Sequence, residues 1–536
     1  MMKRNLFLSL IVLSLAVFTR GQTTLIEVSG PVSGSWNADT VLVTGDIEVP
    51  SGELLTIGPG TLVLFSGHFM FTVKGSVKAS GTSTQPVRFT ILDTTGFHDT
   101  LSPAGGWHGF VYEHLASSAD SSLFTYCLFE YGKAFSADTF GQYGGAFRIF
   151  DFNRIAFRQC TFSNNLAIRW GGAVYARNSD VLFDRCAFAG NRCGLAVFPW
   201  GYGGGICSVH AEPVIVNCQF DDNAATGFGG GASFEYSDPL VQFNTFTENF
   251  GGLAGGFGYL RSTPARVAAN NLVHGNTAQF FGGGVACIRS NTVFSNLTIT
   301  DNVSMYGGGF YCNDSAVPIL YNTILRGNQG FGHEVYIWDV RSAPSFLYCN
   351  VEGDTTAFEG SGAHEGFMGS YLNNIDSDAM FRETGEHPYA LLTGSPCIDA
   401  GTPDTTGLQL PSTDMEGLSR IWNGRIDIGA YEWNPGQGLS TQGNRISAMI
   451  VTPNPSSGRV SVCIEGLTTD RGSLAIYDLQ GRTVMTLTDC HPVNGKFLLT
   501  LDLRTIPGMV IYEGIYIITY QDNQRVHSVN LIIHDR

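Results

Sequence analysis

The sequence predicts an all-β chain: a right-handed parallel β-helix solenoid followed by a small C-terminal β-sandwich. The first observation is that seven short apolar segments each end in an asparagine, and that these asparagines are spaced at nearly constant intervals along the chain. The second is a set of two or three glycines that keeps the same interval. The third is a composition of 67 glycines, 12% aromatic and only 14% charged residues, which suits many short strands joined by tight turns. A fixed internal period of this kind is the signature of a repeat architecture.

The repeated unit is 26 residues long in most of its copies. The terminal asparagines, separated by 26, 32, 26, 27, 26 and 26 residues, are Asn165, Asn191, Asn223, Asn249, Asn276, Asn302 and Asn328. The second glycines of the sets are Gly145, Gly172, Gly204, Gly230, Gly256, Gly283 and Gly308. A coil of this length, with two or three short strands and sharp corners, is one rung of a β-helix.

Two apolar columns run through the repeat and predict a corner between them. Eight residues before each terminal asparagine lie Phe157, Phe183, Ile215, Val241, Ala268, Phe294 and Leu320. Three residues before it lie Phe162, Phe188, Phe220, Phe246, Val273, Ile299 and Leu325. The columns are an odd number of residues apart, so both can face inward only if the chain turns between them. Asn217, Asn270, Asn296 and Asn322 occupy that corner, where asparagine tolerates the left-handed conformation and can stack into a ladder.

The chain divides by composition into five parts. A basic start (Lys3, Arg4) and an apolar run over 6–17 predict a secretory signal peptide, too short to span a bilayer. A linker rich in Gly, Gln, Ser and Asn separates the last unit from the rest. The predicted parts are a signal peptide at 1–21, a β-helix at 22–360 with explicit repeats at 140–330, a cap or anchor-like segment at 361–433, a linker at 434–446, and a C-terminal domain at 447–536.

The charge argues against nucleic acid as a partner. The whole chain has a net charge of -16, and loss of the three bases in residues 1–21 leaves 27 bases against 46 acids, about -19. Such a field repels phosphate backbones. No other stretch is apolar and long enough for a membrane helix, so we expect no transmembrane anchor.

Twelve cysteines in an exported chain raise the possibility of disulfides. Cys160, Cys186 and Cys218, however, recur at one position of the repeat. A column of this kind is more simply a buried ladder of small apolar side chains, and we expect it to be reduced.

The glycine marks GGAF (144–147) and GGAV (171–174), alternating with FSNN, FAGN, FDDN and FTEN, resemble the polymorphic outer membrane protein repeats of bacterial adhesins and autotransporters. The last three coils keep the asparagine but replace the phenylalanine with Val, Ile and Leu. The resemblance covers about 140–330 and implies an adhesive β-helix passenger.

Residues 390–433 resemble a module that follows bacterial β-helices, on the marks SPCIDAG (395–401) and DIGAYE (427–432). Such a module is described as an anchoring or terminal region. An alternative is that it caps the last open rung by pairing with it.

Residues 447–536 resemble the type A C-terminal sorting domain of the type IX secretion system. The matching positions include Pro453, Asn454, Pro455, Gly458, Gly481, Arg482, Gly514 and Tyr516. The chain departs from the pattern in a longer insert at 504–516 and in a last strand without the usual lysines. The resemblance implies a bacterial protein that meets the type IX machinery and is secreted or held on the outer-membrane surface.

The best candidates for catalysis are Asp222 and Glu248, which lie just before the terminal asparagine in adjacent coils. Stacked carboxylates could form an acid/base pair or one edge of a Ca²⁺ site. At the same position, the other coils hold Asn, Gly and Asp, which are common turn residues. We therefore assign no catalytic residue from this column. The twelve histidines show no metal-binding spacing, and we expect no metal and no cofactor; Ca²⁺ is possible but not indicated.

An aromatic residue precedes the glycines in most coils. The column is Tyr143, Trp170, Tyr202, Phe228, Phe281, Tyr306 and Phe331. It is interpreted either as an inward-facing stack or as a surface that holds sugars, and the inward stack is favoured. The long coil adds Phe198 and Trp200 next to Tyr202, and insertions in solenoids map to one face. The candidate ligand-binding residues are therefore Trp170, Phe198, Trp200, Tyr202 and Phe228.

Three functions remain open at this point. A non-catalytic, adhesin-like protein that binds glycans or matrix is ranked first. A polysaccharide lyase or glycoside hydrolase is second, and a structural surface component is third. Fold alone does not decide among them.

Overall fold

The computed structural model describes residues 24–113, 115, 120–194 and 200–434, and in the C-terminal region 449–452, 459–465, 471–478, 482–492, 496–502, 514–522 and 526–533. The predicted signal peptide lies outside the described residues, and so does the predicted linker except for Asn434. Phe198, Pro453, Asn454, Pro455, Gly458 and Gly481 also lie outside them.

Each coil of the solenoid contains up to four short strands, each paired in parallel with its counterparts in the coils before and after it. One coil runs through Phe147–Phe150 in a first sheet, Ile155–Arg158 in a second, Thr161–Ser163 in a third and Leu166–Ala167 in a fourth. Among the described residues, the second sheet has 13 strands and the fourth has 8. The first and third are joined into one 23-stranded sheet because Leu25–Pro31 and Thr40–Val49 bend through both.

The remaining strands of the first sheet are Met70–Val73, Gly109–Tyr112, Val174–Arg177, Ile206–Val209, Ala232–Glu235, Phe257–Leu260, Val285–Ile288, Phe310–Asn313 and Val335–Ile337. Those of the second are Gly34–Trp36, Leu54–Ile57, Ser76–Ser80, Ser122–Thr125, Leu182–Asp184, Val214–Val216, Leu240–Gln242, Ala268–Ala269, Val293–Ser295, Ile319–Tyr321, Ser345–Leu347 and Tyr371–Leu372. Those of the third are Leu62–Phe65, Val87–Ile91, Cys127–Glu130, Ala187–Ala189, Gln219–Asp221, Thr245–Thr247, Leu272–His274, Thr298–Thr300, Ile324–Arg326 and Asn350–Val351. Those of the fourth are Lys133–Ala134, Arg192–Cys193, Ala224–Phe228, Phe250–Leu253, Thr277–Phe281, Val303–Tyr306 and Gln329–Phe331. The described helices are single turns at Phe140–Gln142, Asp354–Ala357 and Ser361–His364.

Left-handed residues make the corners of the coil. In one coil, Asp151, Gln159, Asn164 and Gly171 stand at successive corners with φ between 53° and 67°. The predicted corner at Asn217, Asn270, Asn296 and Asn322 is confirmed, with φ between 48° and 56°. A single left-handed residue reverses the strand direction without a loop, so a coil of 26 residues closes on itself.

The asparagine ladder forms at a different position from the predicted one. Along most of the coils it does not run through the corner column but through the terminal asparagines, which are buried. In Asn165, for example, both the backbone N–H and the side-chain amide donate to Oδ1 of Asn191, at 3.0 and 2.9 Å. At the corner, one step of the predicted ladder is present, because the Asn322 side chain donates to Oδ1 of Asn296 at 3.3 Å, whereas Asn217 is exposed.

The two predicted apolar columns are buried and form the core of the solenoid. In the second column the rings stack along the axis, with centroid distances of 4.7 Å for Phe162–Phe188, 4.8 Å for Phe188–Phe220 and 4.6 Å for Phe220–Phe246. Identical in-register rings therefore fill the interior without gaps. Eleven cysteines are buried and free, and they include Cys160, Cys186 and Cys218 of the predicted column; the side chain of the twelfth, Cys463, lies outside the described part of the structure.

Two segments close the C-terminal end of the solenoid. Phe358, which is 2% exposed, continues the core past the last coil, and Tyr371–Leu372 pairs with Ser345–Leu347. Residues 375–433, called the strap below, instead cross the side of the stack. Cys397 of this segment contacts Asn350 of the last coil, and other residues of 390–433 contact earlier coils laterally, so the alternative that the segment caps the last rung stays a prediction.

The strap follows the corner asparagines. The Asn270 side chain donates to the Thr413 carbonyl at 2.8 Å, and Asn296 donates to the Asp427 carbonyl at 3.0 Å. Oδ1 of Asn322 accepts from the Thr402 N–H at 2.7 Å. These asparagines thus turn the chain and also present amide groups to the strap backbone.

Buried charge holds the strap together. The Arg420 guanidinium lies 2.7 Å from Oε2 of Glu432, and both side chains are at most 2% exposed. Oδ2 of Asp414 accepts from the Glu432 N–H, and Asp427 accepts from the N–H groups of Asp399 and Trp433. Burial raises the pKa of both Asp427 and Glu432 above the usual values of these carboxyl groups. The DIGAYE mark is thus accounted for by internal bonds of the strap.

The C-terminal region is an antiparallel β-sandwich in its described strands. One sheet contains Met449–Thr452, Arg459–Glu465 and Lys496–Asp502, and the other contains Gly472–Asp478, Thr483–Cys490, Gly514–Asp522 and Val526–Ile533. Val462 and Ile464 of the first sheet share a core with Leu474, Ile518 and Leu531 of the second. The predicted fold class is confirmed for both parts of the chain.

Candidate functional site

The aromatic column lies on the outside of the solenoid, so its interpretation as an inward stack is wrong. Val174 and Ala176 belong to the core, and period-two alternation therefore turns Tyr175 outward. Tyr143, Trp170 and Tyr202 pack over Tyr175 and its neighbour Cys207 in a cluster separate from the core. The glycines between the column and the first sheet break the strand alternation. For this reason, counting residues along the sequence did not predict whether the aromatic side chains point inward or outward.

Trp170 is the centre of this outer cluster. Its ring stacks on Tyr202 at 5.1 Å and 3°, and it meets Tyr143 at 5.5 Å. Its indole N–H donates to the Trp200 carbonyl at 3.0 Å, which connects the ring to the insertion of the long coil. Trp200 itself is 61% exposed. We call Trp170, Trp200 and Tyr202 the first aromatic platform.

One of the five predicted ligand-binding residues does not belong to this platform, and another lies outside the described residues. Phe228 meets Tyr202 edge-on at 6.1 Å but is only 2% exposed, so it supports the platform from below and cannot touch a ligand. Phe198 is among residues 195–199 and lies outside the described residues.

Asp222 and Glu248 occupy the same corner in adjacent coils. Both are exposed and left-handed, with φ of 48° and 53°. Asp222 forms an ion pair of 3.1 Å with Arg192. Burial raises the pKa of the neighbouring Asp221, and the charges of Glu248 and Asp222 add to that increase. This geometry is that of exposed turn residues, with Arg192 as the ion-pair partner of Asp222.

A polar groove lies at the opposite edge of the first sheet, at the corner marked by Asn178. It has a volume of about 570 Å³, and a second groove of about 380 Å³ adjoins it and shares Asn178. One wall is a stack in which the His210 and Tyr236 rings lie 4.7 Å apart and the Arg261 guanidinium lies 5.9 Å from the Tyr236 centroid. Sequence reasoning missed this groove, although polar residues recur at its corner in successive coils.

Carboxylates of three coils form the other wall. Asp180 Oδ1 accepts the Glu212 N–H at 2.6 Å, and Asp238 Oδ1 accepts the Arg266 N–H at 3.0 Å. The Glu212 carboxylate pairs with Arg266 at 2.8 Å. Asp180 and Asp238 thus bond to the next coil and Glu212 to the coil after that, and all three residues line the groove. Within the described residues, no group of three His, Cys, Asp or Glu side chains is arranged to hold a metal ion.

Two protein-family models match parts of this chain. A model described as a right handed beta helix region matches residues 114–263, and one described as a secretion system C-terminal sorting domain matches 451–534. The chain carries a right-handed β-helix and a type IX sorting domain. Among curated proteins, no match to this chain is found.

The sorting domain determines where the β-helix acts. It directs the chain through the type IX secretion machinery to the cell surface or the extracellular medium, as predicted. Of its described motif residues, Tyr516 is 8% exposed and pairs with Asp478 and Leu531, while Gly514 begins its strand. Arg482 is exposed just before Thr483–Cys490. In the described part of the chain, no helix is long and apolar enough to cross a membrane.

Proposed function

We propose that this secreted β-helix protein is a non-catalytic, adhesin-like protein that binds extracellular glycans through the first aromatic platform. The observation that carries the proposal is Trp200, a 61% exposed indole whose backbone carbonyl accepts the indole N–H of Trp170, the ring that stacks on Tyr202. Clusters of exposed apolar rings mark interaction sites more often than single exposed residues do. An indole offers a flat apolar face to the C–H face of a sugar, and little entropy is lost at Trp170 and Tyr202 because their stacked rings are already held.

Several features of the molecule favour a neutral glycan over an anionic polysaccharide as the ligand. The chain has a net charge of -16, which disfavours sulfated or uronic polymers at long range. The platform is seated on a solenoid whose coils are hydrogen-bonded throughout, so the rings keep a constant spacing. The polar groove, reached across the same sheet, supplies carboxylate, amide and guanidinium groups suited to hydroxyl recognition.

The test is a glycan-array screen of the mature full-length protein, with titration of each hit. We expect Trp200→Ala to weaken binding about tenfold or more, which corresponds to about 1.4 kcal/mol. Trp422→Ala is the matched control, because Trp422 is a 41% exposed indole on the strap and its backbone contact to Glu432 survives the change. Equal loss in both variants, or no binding to any glycan, would contradict the proposal and favour a structural role or a protein partner.

A second candidate function is cleavage of a bound polysaccharide. It is favoured by one observation: Asp180, Glu212 and Asp238 line a single open groove. Mass spectrometry of any glycan hit after incubation separates the two functions. Shortened or unsaturated products that disappear in Asp180→Asn but persist in Glu248→Gln would make the groove an active site. Products lost only in Glu248→Gln would assign catalysis to the corner of Asp222 instead.

A further inference from the structure

The aromatic column continues beyond the first platform along one straight line. Strand pairing aligns Tyr202 with Phe228, Leu253, Phe281, Tyr306 and Phe331 in successive coils. The carbonyl oxygens of these residues accept bonds from the preceding coil at 2.8–3.1 Å, as in the pairs Gly203–Phe228 and Gly307–Phe331. The line is therefore held at every step, and its residues keep a constant separation.

The line of rings is interrupted in its middle, and exposed rings return at its far end. Phe228 is 2% exposed, and Leu253 in the next coil is half-buried and is not aromatic. Exposure returns at Phe331, which is 55% exposed, and at Trp338, which is 47% exposed. The column thus presents two separate aromatic surfaces on the same side of the solenoid.

The second surface is built around Phe281. The Tyr306 ring stacks on Phe281 at 5.2 Å, and Trp338 meets it edge-on at 5.1 Å. Tyr336 lies 5.2 Å from Tyr306. The cluster has the chemistry of the first platform: an exposed indole, supporting rings and phenolic groups at the rim. We call Phe281, Tyr306, Phe331, Tyr336 and Trp338 the second aromatic platform.

We propose that the second aromatic platform binds the same glycan chain as the first, so that a linear neutral polysaccharide lies along the solenoid axis and contacts both. This inference rests on the proposed function and adds the form of the ligand to it. Tyr202 and Phe331 are five coils apart, a distance of about 24 Å at a strand spacing of about 4.8 Å. A short oligosaccharide reaches one platform, whereas a chain longer than this distance reaches both.

The two-site arrangement has a thermodynamic consequence that a single site lacks. Once one platform holds the chain, the second binding step is intramolecular and proceeds at an effective concentration in the millimolar range. A rigid solenoid loses no conformational freedom in this step. Affinity therefore rises by about 10–100-fold at the length that first spans the platforms, with a plateau below and above it.

The experiment titrates the mature full-length protein with length series, from disaccharide to decasaccharide, of β-1,4-glucan, β-1,4-mannan and α-1,4-glucan. We expect a step in affinity with length in the series that binds. Trp338→Ala removes the step and lowers the number of short oligosaccharides bound per protein from two to one. Trp200→Ala also removes the step, and Trp422→Ala leaves both quantities intact.

The outcomes separate this inference from the proposed function. Short oligosaccharides that bind in a manner dependent on Trp200, together with a Trp338→Ala variant that matches the wild type at every length, would leave the first platform standing and overturn the second. Absence of binding at any length in all three series, in a correctly folded protein, would overturn both. Circular dichroism of each variant establishes that the fold is retained.

Discussion

The side-chain amide of Asn191 lies 2.8 Å from Oδ1 of Asn223, and the backbone N–H of Asn191 donates to the same oxygen at 3.1 Å. Each terminal asparagine repeats this pattern with the one in the next coil, and the last one, Asn328, makes it to the Glu334 carboxyl group. The ladder provides hydrogen-bond partners for polar groups at a buried turn that lies outside the strands. It explains why asparagine recurs at the end of every coil.

Removal of one asparagine from the middle of this ladder should destabilise the solenoid strongly. Asn223→Ala deprives two Asn191 donors of their acceptor and leaves the Phe188 carbonyl without its 2.8 Å donor. Each buried group left unpaired costs about 1–3 kcal/mol. We expect a loss of several kcal/mol in urea unfolding followed by far-ultraviolet circular dichroism.

The control for this change is Asn217→Gly. Asn217 is exposed and left-handed, with a φ of 55°, which glycine adopts freely. Its stability should stay within about 0.5 kcal/mol of the wild type. Similar losses in the two variants would mean that the ladder contributes nothing specific.

The cysteines should be unreactive in the folded protein despite its export to an oxidising environment. Burial raises the pKa of thiols such as Cys186 and Cys218 well above the usual value, and the thiolate is the reactive form. We expect at least the eleven described thiols to remain silent toward Ellman's reagent in buffer and to react after unfolding in guanidinium. A mass spectrum of the secreted protein that shows a Cys160–Cys186 disulfide would contradict this.

The coil period, the inward columns and one corner could be predicted from the sequence because the same residue types recur there. The other corners could not, since the coil imposes left-handed φ on residues as different as His210, Tyr236 and Arg261. The sequence carries no preference for that conformation at such residues, and only their common position in the repeat marks them.

The location of the strap was also beyond prediction, because it depends on contacts between distant residues such as Asn322 and Thr402, 80 positions apart.

The residues of the first aromatic platform could be predicted from the sequence only in part. Trp170 and Tyr202 stack and the Trp200 carbonyl bonds to Trp170, but Phe228 is covered by its neighbours, and ligand binding by these residues stays a prediction. Residue type alone distinguishes neither an exposed ring nor a supporting one.

The stability of the C-terminal coils should fall as the pH rises from about 5 to 8. Burial raises the pKa of Glu334 to about 8 from its usual 4.5. Between these values the folded state holds a proton that the unfolded state has lost, so the free energy of unfolding decreases with pH, by at most about 1.4 kcal/mol per pH unit. Below the lower value the contribution is constant.

Urea unfolding of the wild type and of Glu334→Gln across this range measures the effect. Other buried carboxyl groups, such as Glu432, are common to both proteins, so the difference between the two slopes belongs to Glu334. We expect the variant to show the smaller slope. Parallel curves would show that Glu334 has the same pKa in both states.

Loss of the Arg420 guanidinium should detach the strap while leaving the solenoid folded. Arg420→Met leaves Glu432 buried without its 2.7 Å partner and frees the bond from Arg420 to Oδ1 of Asn270. Removal of one member of a buried ion pair costs about 3–5 kcal/mol. We expect limited proteolysis to cut within the strap, because the solenoid core does not include it.

Arg341→Met is the control, since that arginine is 69% exposed and its ion-pair partner is Asp339. Cleavage within the coils at the same rate as in the strap would instead mean that strap and solenoid unfold together, and that the corner asparagines need the strap to hold the coils closed.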